Sequence, residues 1–491
     1  MRASRRKTGR QVASAALSAR LAGHVALTAQ PNGEVIASFY GHSVALGMFS
    51  AAVAKRAETL HAGLPLNAFA SRARGTDKEI ALLVQRLVRH GLLEFRLGGS
   101  LSGAAQVVIE PQVPDYWPRT PKLSDTDTLV LSRFAYMRRR GSDLVLESPR
   151  SCALFRICDP TFAVTLAMLA TPQLLKKLRR GRGFAAETLL ALLVDCQILL
   201  RVDAAHGAGL RPSEGNDSLV LWDFHDLLFH ARCTEGRHAN PLGGVYPYAT
   251  SIAPLPAVRS RWVGTKIDLD KLPIRDTESV RSTVKILRER RSVRSFDDRT
   301  PITLMELSQF LDGTARVRSE WTTAFDANGG GGLPITYTSR PYPSGGSSYP
   351  LELYLAVDKC EGLGRGFYFY DAGEHALVPI DVRATEFEAL LKSAAFAMGE
   401  SGVPQILITI ASRFGRVSWK YSSIAYSLIL KDVGVLTQTF YLMATAMGLG
   451  GCAIGSINID LFARMTGIDF YVEGPVGQFA IGRGGESEAS G

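Results

Sequence analysis

The amino-acid sequence predicts an α+β protein, in which two small helix-and-strand units precede a larger mixed domain. With 491 residues, the chain is too long for a single hydrophobic core. Near the N-terminus a strand hairpin, helices and a closing strand follow one another, and this succession recurs at an offset of roughly a hundred residues, which is longer than a solenoid repeat. The C-terminal part combines apolar strand runs, LELYLAV and PQILITIAS, with one long apolar helix run.

The first unit begins with a predicted hairpin, because residues 24–46 alternate apolar and polar side chains around the turn sequence Pro-Asn-Gly. The segment TDKEIALLVQRLVRHG then predicts an amphipathic helix. Thr76 can cap its N-terminus, Glu79 can complete a capping box, and the apolar residues fall on one face. Gly91 ends this helix and LLEFRL predicts a closing strand, so the unit has the order that is typical of a winged helix.

The second unit repeats this order. Residues 128–147 alternate around Arg-Gly-Ser, helices are predicted at 161–170 and 185–196, and ILLRVD predicts the closing strand. A Pro-rich linker, PQVPDYWPRTPKLSD, separates the two copies. The predicted division is a disordered basic tail (1–20), two winged-helix-like units (21–115 and 125–215), a connector (216–273) and a C-terminal domain (274–491).

The winged-helix-like units leave two interpretations open. Winged helices often bind DNA, but the helix TDKEIALLVQRLVRHG has more apolar than basic residues and no row of side chains suited to base edges. The same fold can accept a peptide as an extra strand along its wing. The net charge is +10, with basic runs at residues 2–10, 138–140 and 176–182. Such runs suit a solvated surface, an acidic peptide or a nucleic acid.

The cysteine and histidine pattern predicts no metal site. The six cysteines form no CxxC pair and do not cluster with histidines, which argues against zinc and against a disulfide framework and fits a reducing cytoplasm. His225 and His230 are five residues apart and would not share a helix face, so packing roles are favoured. The uncharged run from Val433 to Ile459 is long enough to span a bilayer, but glycines and polar residues interrupt it. A helix buried in a core or a dimer interface is favoured, and we expect a cytoplasmic protein without a membrane segment.

Two segments of the C-terminal domain suit a phosphate group. The segment RERRSVRSF places Arg290, Arg291, Ser292 and Arg294 at the end of a predicted helix. Thr303 and Glu306 are expected to form a capping box at the start of the next helix. Guanidinium groups bind phosphate oxygens with two parallel hydrogen bonds, and a serine hydroxyl adds another donor. Arg483, which follows the last predicted strand, is a further candidate. A solvated helix end would give a similar pattern.

Two further segments suit a planar ring and proton transfer. The segment RPYPSGG contains Pro343, Ser344, Gly345 and Gly346, and its glycines permit a close backbone approach to a flat ligand. A loop at a hairpin rim is the alternative interpretation. The adjacent Lys420 and Tyr421 precede the long apolar helix run, and both side chains can carry protons. On their own they could equally be a surface lysine followed by a packed tyrosine.

Five segments in this order carry a family resemblance: RRSVRSF, RPYPSGG, WKY, KDVGVLTQTFYLMATAMGLGGCAIG and EGPVGQFAIGRG. Together they resemble the FMN-dependent nitroreductase superfamily. More narrowly, they resemble the SagB-type dehydrogenases that oxidise azolines in the biosynthesis of peptide natural products. The two upstream units and the connector segment LWDFHDLLFHARCTEGRH resemble the long, cyanobactin-oxidase-like members of that family.

The resemblance implies a nitroreductase-like C-terminal domain that binds FMN at a homodimer interface. Arg290, Ser292 and Arg294 would bind the phosphate and ribityl chain, with Arg483 closing the site. The flavin ring would contact Ser344, Gly345 and Gly346 of the partner subunit, and Ile454, Gly455 and Ser456, of which Gly455 and Ser456 match the position of a backbone amide facing flavin N5. Lys420 and Tyr421 match the family's catalytic pair. Ser427 departs from the pattern, since many members have arginine there.

The resemblance also implies a reaction. Oxidation of a thiazoline or oxazoline to the azole removes a hydride, which the flavin accepts, and a proton, which needs a base. Lys420 could be this base if desolvation lowered its pKa, and Tyr421 could share the proton; which of them takes it stays open. The implied substrate is a precursor peptide with azoline rings, cyclodehydratase or synthetase enzymes are possible partners, and oxygen would reoxidise the flavin. The alternatives are an NAD(P)H-dependent nitro or quinone reductase and a flavin-sensing, winged-helix DNA-binding regulator. Nucleic acid is not the favoured partner.

Overall fold

The computed structural model describes residues 16–39, 42–66, 76–98, 105–180, 187–202, 214–234, 269, 277–325, 333–399, 402–421 and 424–484. These residues divide into two compact units. The first unit contains the described residues up to Val220, together with Leu227–Arg232. The second unit contains Leu221–Asp226, residues 233–234 and the described residues from 269 onwards.

The elements before the second unit are short. They are β1 (Ala16–Leu21), β2 (Ala26–Ala29), β3 (Glu34–Phe39), β4 (His42–Met48), α1 (Ala51–Ala57), β5 (Leu64–Pro65), α2 (Thr76–Arg89), β6 (Leu93–Gly98), β7 (Ala105–Pro111), β8 (Thr128–Leu131), β9 (Tyr136–Arg140), β10 (Asp143–Glu147), β11 (Ala153–Ile157), α3 (Thr161–Met168), β12 (Gln173–Leu174), α4 (Leu175–Leu178), α5 (Glu187–Asp195), β13 (Leu199–Val202) and α6 (Phe224–Cys233).

Strand order reproduces the recurrence that the sequence indicates. In the described part of the first unit, an antiparallel sheet has the order β5-β1-β6-β7-β11-β10-β9, and smaller sheets have the orders β2-β3-β4 and β12-β8-β13. The triplets β5-β1-β6 and β12-β8-β13 place equivalent strands in equivalent positions. The pairing of β7 with β11 joins strands of both predicted units in one sheet. The domain boundaries given above stay predictions.

The predicted hairpins and the amphipathic helix are confirmed. β2 pairs with β3, and β9 pairs with β10, each in antiparallel register across the predicted turn. α2 buries the apolar face that contains Leu83 and Leu87. Glu79 accepts hydrogen bonds at Oε2 from the backbone amide and hydroxyl of Ser50, at 3.1 and 2.8 Å, and the capping box with Thr76 stays a prediction. β1 begins at Ala16, so residues 16–20 of the predicted disordered tail form part of a strand, and residues 1–15 lie outside the described residues.

Two arginines of the basic run at residues 138–140 form ion pairs within the first unit. Arg138 lies 2.6 Å from Glu147, and Arg140 lies 2.6 Å from Glu110. His230 is 1% exposed, and its burial lowers the pKa of the imidazole to about 3. Within the described ranges, no group of three or more His, Cys, Asp or Glu side chains could hold a metal ion.

The second unit contains longer elements. They are α7 (Glu278–Glu289), α8 (Leu304–Thr314), β14 (Ser319–Phe325), β15 (Leu333–Ser339), β16 (Leu351–Val357), β17 (Gly366–Asp371), β18 (Ala376–Ile380), α9 (Ala384–Ala397), β19 (Ile406–Arg413), α10 (Gly415–Ser418), α11 (Ala425–Ala446), β20 (Gly450–Ile454), α12 (Ile459–Thr466) and β21 (Glu473–Gly482).

An antiparallel sheet organises this unit, with the order β18-β17-β16-β19-β21-β20 among the described strands. The predicted strands LELYLAV and PQILITIAS are confirmed as β16 and β19, and both are almost fully buried, as expected for the centre of a covered sheet. Phe440 of α11 packs against Phe310 of α8 and Phe479 of β21, with ring centroids 5.2 and 5.3 Å apart. The predicted α+β class is therefore confirmed.

The long apolar run does not form one helix. α11 has 22 residues and ends at Ala446; after a turn in which Gly448 has φ +68°, the chain continues as strand β20. The left-handed backbone at Gly448 explains this ending, because glycine adopts it at little cost. Of the helices in the described ranges, none is both long enough and apolar enough to cross a membrane. The predicted capping box of Thr303 and Glu306 is present at the start of α8.

Candidate functional site

The P-S-G-G segment forms a tight turn between β15 and β16, and its last residue must be glycine. Gly346 has φ +60°, which L-amino acids with a side chain rarely adopt. A Cβ atom there would lie 2.4 Å from Tyr421 Oη and 2.8 Å from Lys420 Nζ. The turn and the predicted catalytic pair are therefore in direct contact within one chain.

Lys420 lies beside two aromatic rings. It follows the short helix α10, and the backbone amide of Tyr421 donates to the carbonyl oxygen of Val417 at 2.9 Å. Lys420 Nζ donates to the carbonyl oxygen of Gly346 at 3.3 Å. The same nitrogen lies 5.6 Å from the ring centroid of Tyr337 and 5.4 Å from that of Tyr421, within the range of cation–π attraction. Lys420 is nevertheless exposed, so the single chain does not supply the desolvation expected from the sequence.

Asp432 of α11 fixes the turn through hydrogen bonds. Its Oδ2 accepts a hydrogen bond from Ser344 Oγ at 2.5 Å, and its Oδ1 accepts one from the Gly345 amide at 3.2 Å. The Tyr349 amide in turn donates to Ser344 Oγ at 3.0 Å. Asp432 is 6% exposed. Burial raises the pKa of this carboxyl group, and the two hydrogen bonds oppose the rise only in part.

Tyr441 connects the arginine segment to strand β20. Its hydroxyl lies 2.9 Å from Ser292 Oγ and accepts a hydrogen bond from the Ala453 amide, also at 2.9 Å. The Arg290 guanidinium lies 5.1 Å from the centroid of the Tyr441 ring. The Val293 amide donates to the Gly451 carbonyl oxygen at 2.8 Å, so the arginine segment runs beside β20. Burial raises the pKa of the neighbouring Cys452 thiol, and the Arg294 guanidinium opposes the rise.

Arg483 lies near this segment, but a carboxylate already neutralises it. Its Nη2 lies 2.7 and 2.8 Å from the two oxygens of Glu306. Burial raises the pKa of Glu306, but hydrogen bonds from Thr303 and Arg483 outweigh this and leave it below the usual value. The Asp297 amide donates to the Arg483 carbonyl oxygen at 3.0 Å, which holds the C-terminal strand next to the arginine segment.

The predicted site residues fall into two groups along α11. The turn group is defined by Lys420, Tyr421 and the P-S-G-G turn, and it lies at Asp432. The arginine group is defined by Arg290, Ser292 and Arg294 with β20, and it lies at Tyr441. Asp432 and Tyr441 are nine residues apart on one helix, which separates the two groups by about 13 Å along the helix axis at 1.5 Å per residue. The remaining predicted residues show varied exposure: Ile454 is buried, Ser456 is half-buried, and Pro343, Arg291 and Gly455 are exposed.

Two of these residues were not predicted from the sequence. Asp432 is the last charge before the uncharged run of α11, and Tyr441 is a hydroxyl-bearing aromatic residue inside it. A buried helix rarely retains such groups without partners, because unsatisfied polar groups destabilise a core. The sequence therefore indicates that Asp432 and Tyr441 have hydrogen-bond partners, but it does not identify those partners.

The nitroreductase family matches residues 287–483, which contain both groups, and the cyanobactin oxidase ThcOx family matches residues 129–239. The chain is 30% identical over 189 residues to MJ1384 of Methanocaldococcus jannaschii, a protein named as a nitroreductase, and the match covers 85% of that protein and 38% of this chain. The chain therefore belongs to the nitroreductase family, and the resemblance to its cyanobactin-oxidase-like members is confirmed.

Two further relatives are named for the processing of trifolitoxin and of microcin B17. The trifolitoxin-processing protein TfxB of Rhizobium leguminosarum bv. trifolii is 26% identical over 147 residues, which cover 29% of this chain and 39% of that protein. The microcin B17-processing protein McbC of Escherichia coli is 30% identical over 115 residues, which cover 22% of this chain and 42% of that protein. The chain thus spans less than half the length of both processing proteins. Membership of the nitroreductase family identifies this protein as an oxidoreductase.

Proposed function

We propose that this protein is an FMN-dependent dehydrogenase that oxidises thiazoline or oxazoline rings in a ribosomally made, modified peptide to the corresponding azoles. The relatives named for trifolitoxin and microcin processing support a peptide substrate. The observation that carries the proposal is the contact of Lys420 and Tyr421 with Gly346. This contact brings proton-carrying side chains to a glycine turn that is suited to a flat ring.

The side chains of the arginine group fit the phosphate of FMN. Arg290, Ser292 and Arg294 offer two guanidinium groups and a hydroxyl, the donors that a phosphate monoester needs. Arg483 fits less well, because its charge is paired with Glu306 and would have to be released before it could bind phosphate. Bound FMN would supply a hydride acceptor that no amino-acid side chain provides.

Separation of the two groups supports a homodimer with shared sites. We infer that each FMN site combines the arginine group of one chain with the turn group of a second copy. A two-fold axis between the two chains would create two such sites. α7 supports such an interface, because none of its residues is buried and its apolar Val280 and Leu287 are 38% and 49% exposed. Val435 of α11 is also 36% exposed. Exposed apolar side chains on neighbouring helices are typical of association surfaces.

The chain's own residues would handle the proton. Lys420 Nζ must be uncharged to accept it, so the exposed amine of the single chain needs the partner subunit or the peptide to exclude water. The Gly346 carbonyl oxygen fixes the direction of the amine. The Tyr421 hydroxyl lies at the same turn and can share or relay the proton. Either residue can be the base.

The first unit would bind the peptide or enzymes of a synthetase complex. Support comes from the match of residues 129–239 to the cyanobactin oxidase family. Arg138 and Arg140 contribute little net charge to such a surface, because both form ion pairs within the unit. An acidic leader peptide would therefore depend more on the other basic runs.

The test uses the purified protein loaded with FMN and a peptide that contains azoline rings. Mass spectrometry should show the loss of two hydrogens per ring. Lys420→Ala and Tyr421→Phe should abolish this loss and keep the flavin bound, whereas Lys431→Ala, an exposed lysine of α11, should behave like wild type. Steady oxidation of NADPH without any change in the peptide would instead support a reductase. Steeply salt-dependent binding to random duplex DNA would support a regulator.

A mixing experiment tests the shared site. Lys420→Ala and Arg290→Ala variants should each be inactive as homodimers, whereas in a heterodimer one of the two sites combines wild-type residues from both chains. Equal mixing with random exchange should therefore restore about a quarter of the wild-type activity, as a two-fold arrangement requires. Failure of the exchanged mixture to regain any activity would contradict the shared site.

A further inference from the structure

A buried carboxylate connects the central helix of the second unit to the turn group. Asp432 is 6% exposed, and both of its oxygens are used: Oδ2 by the Ser344 hydroxyl and Oδ1 by the Gly345 amide. A buried carboxylate is costly unless such donors satisfy it, so the turn and the carboxylate stabilise each other. The adjacent Lys431 is exposed.

The turn transmits this constraint to the amine. Gly346 follows the two residues that Asp432 holds, and its carbonyl oxygen accepts the hydrogen bond from Lys420 Nζ. The backbone at Gly346 is left-handed, at φ +60°, so a small change in the two preceding residues would redirect this carbonyl. The ring centroids of Tyr337, from β15, and Tyr421 lie 5.6 and 5.4 Å from the amine.

We propose that Asp432 is a positioning residue for Lys420, acting through the P-S-G-G turn. This inference rests on the proposed function, because it gives Lys420 its importance. Asp432 does not need to touch the peptide or the flavin. It keeps Ser344 and Gly345 in place, and the Gly346 carbonyl oxygen then fixes where the Lys420 amine lies.

Replacement by asparagine tests the carboxylate with little change in shape. Asparagine has only one acceptor oxygen, whereas the carboxylate accepts from both turn donors. In Asp432→Asn we therefore expect the turn to loosen and the Gly346 carbonyl oxygen to release the amine. Among the described residues, Tyr337 and Tyr421 lie beside this amine and Arg416 lies on the preceding helix; the substitution changes none of them.

The readout is the reactivity of the Lys420 amine towards acetic anhydride in the FMN-loaded protein, followed by peptide mass spectrometry. Lys431 is an internal reference, because it is exposed and lies on α11 next to Asp432. An amine that no longer donates to a carbonyl oxygen is freer to react. Asp432→Asn should therefore raise the acetylation ratio of Lys420 to Lys431 by about threefold to tenfold, the range that the loss of one hydrogen bond supplies.

Two further variants keep the test decisive. Ser344→Ala removes one of the two hydrogen bonds and should raise the ratio in the same direction by a smaller factor, which also decides the matter if Asp432→Asn does not fold. Asp298→Asn removes an exposed carboxylate that pairs with Lys359, and it should leave the ratio unchanged. A Lys420 to Lys431 ratio equal to wild type in folded Asp432→Asn or Ser344→Ala would overturn the proposal.

Turnover adds an independent readout. In Asp432→Asn we expect kcat for azoline oxidation to fall at least tenfold and KM for the peptide to stay within twofold, because the amine moves but peptide contacts do not. An equal rise in KM with kcat unchanged would contradict a positioning role. The acetylation ratio requires no turnover, so its failure counts against Asp432 alone. If the wild-type protein oxidises no azoline peptide, it is the proposed function that fails.

Discussion

Replacing Gly346 with alanine should separate the geometry of the turn group from the stability of the fold. The new Cβ atom would lie 2.4 Å from Tyr421 Oη and 2.8 Å from Lys420 Nζ, whereas ordinary contacts begin at 3.4 Å. The hydroxyl must therefore move by at least 1.0 Å (3.4 − 2.4) and the amine by at least 0.6 Å (3.4 − 2.8). Displacements of about 1 Å near reacting atoms can slow catalysis about 100-fold. We expect a loss of this size in kcat for azoline oxidation.

The backbone penalty of this substitution can be measured separately. Gly346 has φ +60°, and an alanine in the left-handed region costs roughly 1–2 kcal/mol. Gly141, in the hairpin between β9 and β10, has φ +61°, and no atom lies within 4 Å of the position that a Cβ atom would take there. Gly141→Ala should therefore lose a similar amount of unfolding free energy and keep the wild-type rate.

The assay is stopped-flow reduction of the bound flavin by an azoline peptide without oxygen, together with denaturant unfolding of both variants. A slow Gly346→Ala and a fast Gly141→Ala, with similar losses of stability, would support the contact between the turn and the catalytic pair. If Gly346→Ala reduces its flavin at the wild-type rate, or if both variants slow equally, the reasoning about this contact is wrong.

Three further predictions follow from contacts elsewhere in the protein. Tyr441→Phe removes the hydroxyl that bonds Ser292 and a strand amide, so it should lower the unfolding free energy by about 2 kcal/mol, at about 1 kcal/mol for each hydrogen bond, and weaken FMN binding in a titration. Glu306→Gln can keep the capping box but frees the Arg483 guanidinium, so FMN should bind about tenfold more tightly if Arg483 reaches the phosphate; unchanged affinity would exclude that role. His230 has its pKa lowered from 6.5 to about 3 by burial, so the unfolded chain takes up the proton first and stability is lost as pH falls below 6.5. Between pH 6.5 and 5 the unfolding free energy should fall by about 1.7 kcal/mol, because the slope rises from half to nearly all of about 1.4 kcal/mol per pH unit, and His230→Gln should remove this dependence.

Local patterns were sufficient to predict some of the elements of the second unit, but fewer than half of them. The alternation and apolar runs of LELYLAV and PQILITIAS predict strands, and Thr303 with Glu306 predicts the start of α8. Each of these signals involves residues only a few positions apart, where secondary structure fixes the spacing. β20 was harder to predict, because its GGCAI sequence follows the helix run directly and reads as a glycine-rich turn.

The site contacts could not be predicted in the same way. Ser344 bonds Asp432 across 88 residues, Ser292 bonds Tyr441 across 149, and Arg483 pairs with Glu306 across 177. The spacing of residues along a sequence carries no information about such pairs, because the sheet and α11 bring them together only after folding. The motifs therefore identified Ser344, Ser292 and Arg483, but not the residues that hold them. The pairing of Arg483 with a carboxylate is the clearest difference from its expected phosphate role.

The most direct test is a single turnover under anaerobic conditions, with an azoline peptide in excess over the FMN-loaded protein. The proposed function predicts that the flavin absorbance bleaches while one ring per flavin loses two hydrogens, and that Lys420→Ala does neither despite a full complement of flavin. A wild-type protein that holds FMN, binds the peptide and leaves both the absorbance and the peptide mass unchanged would contradict it.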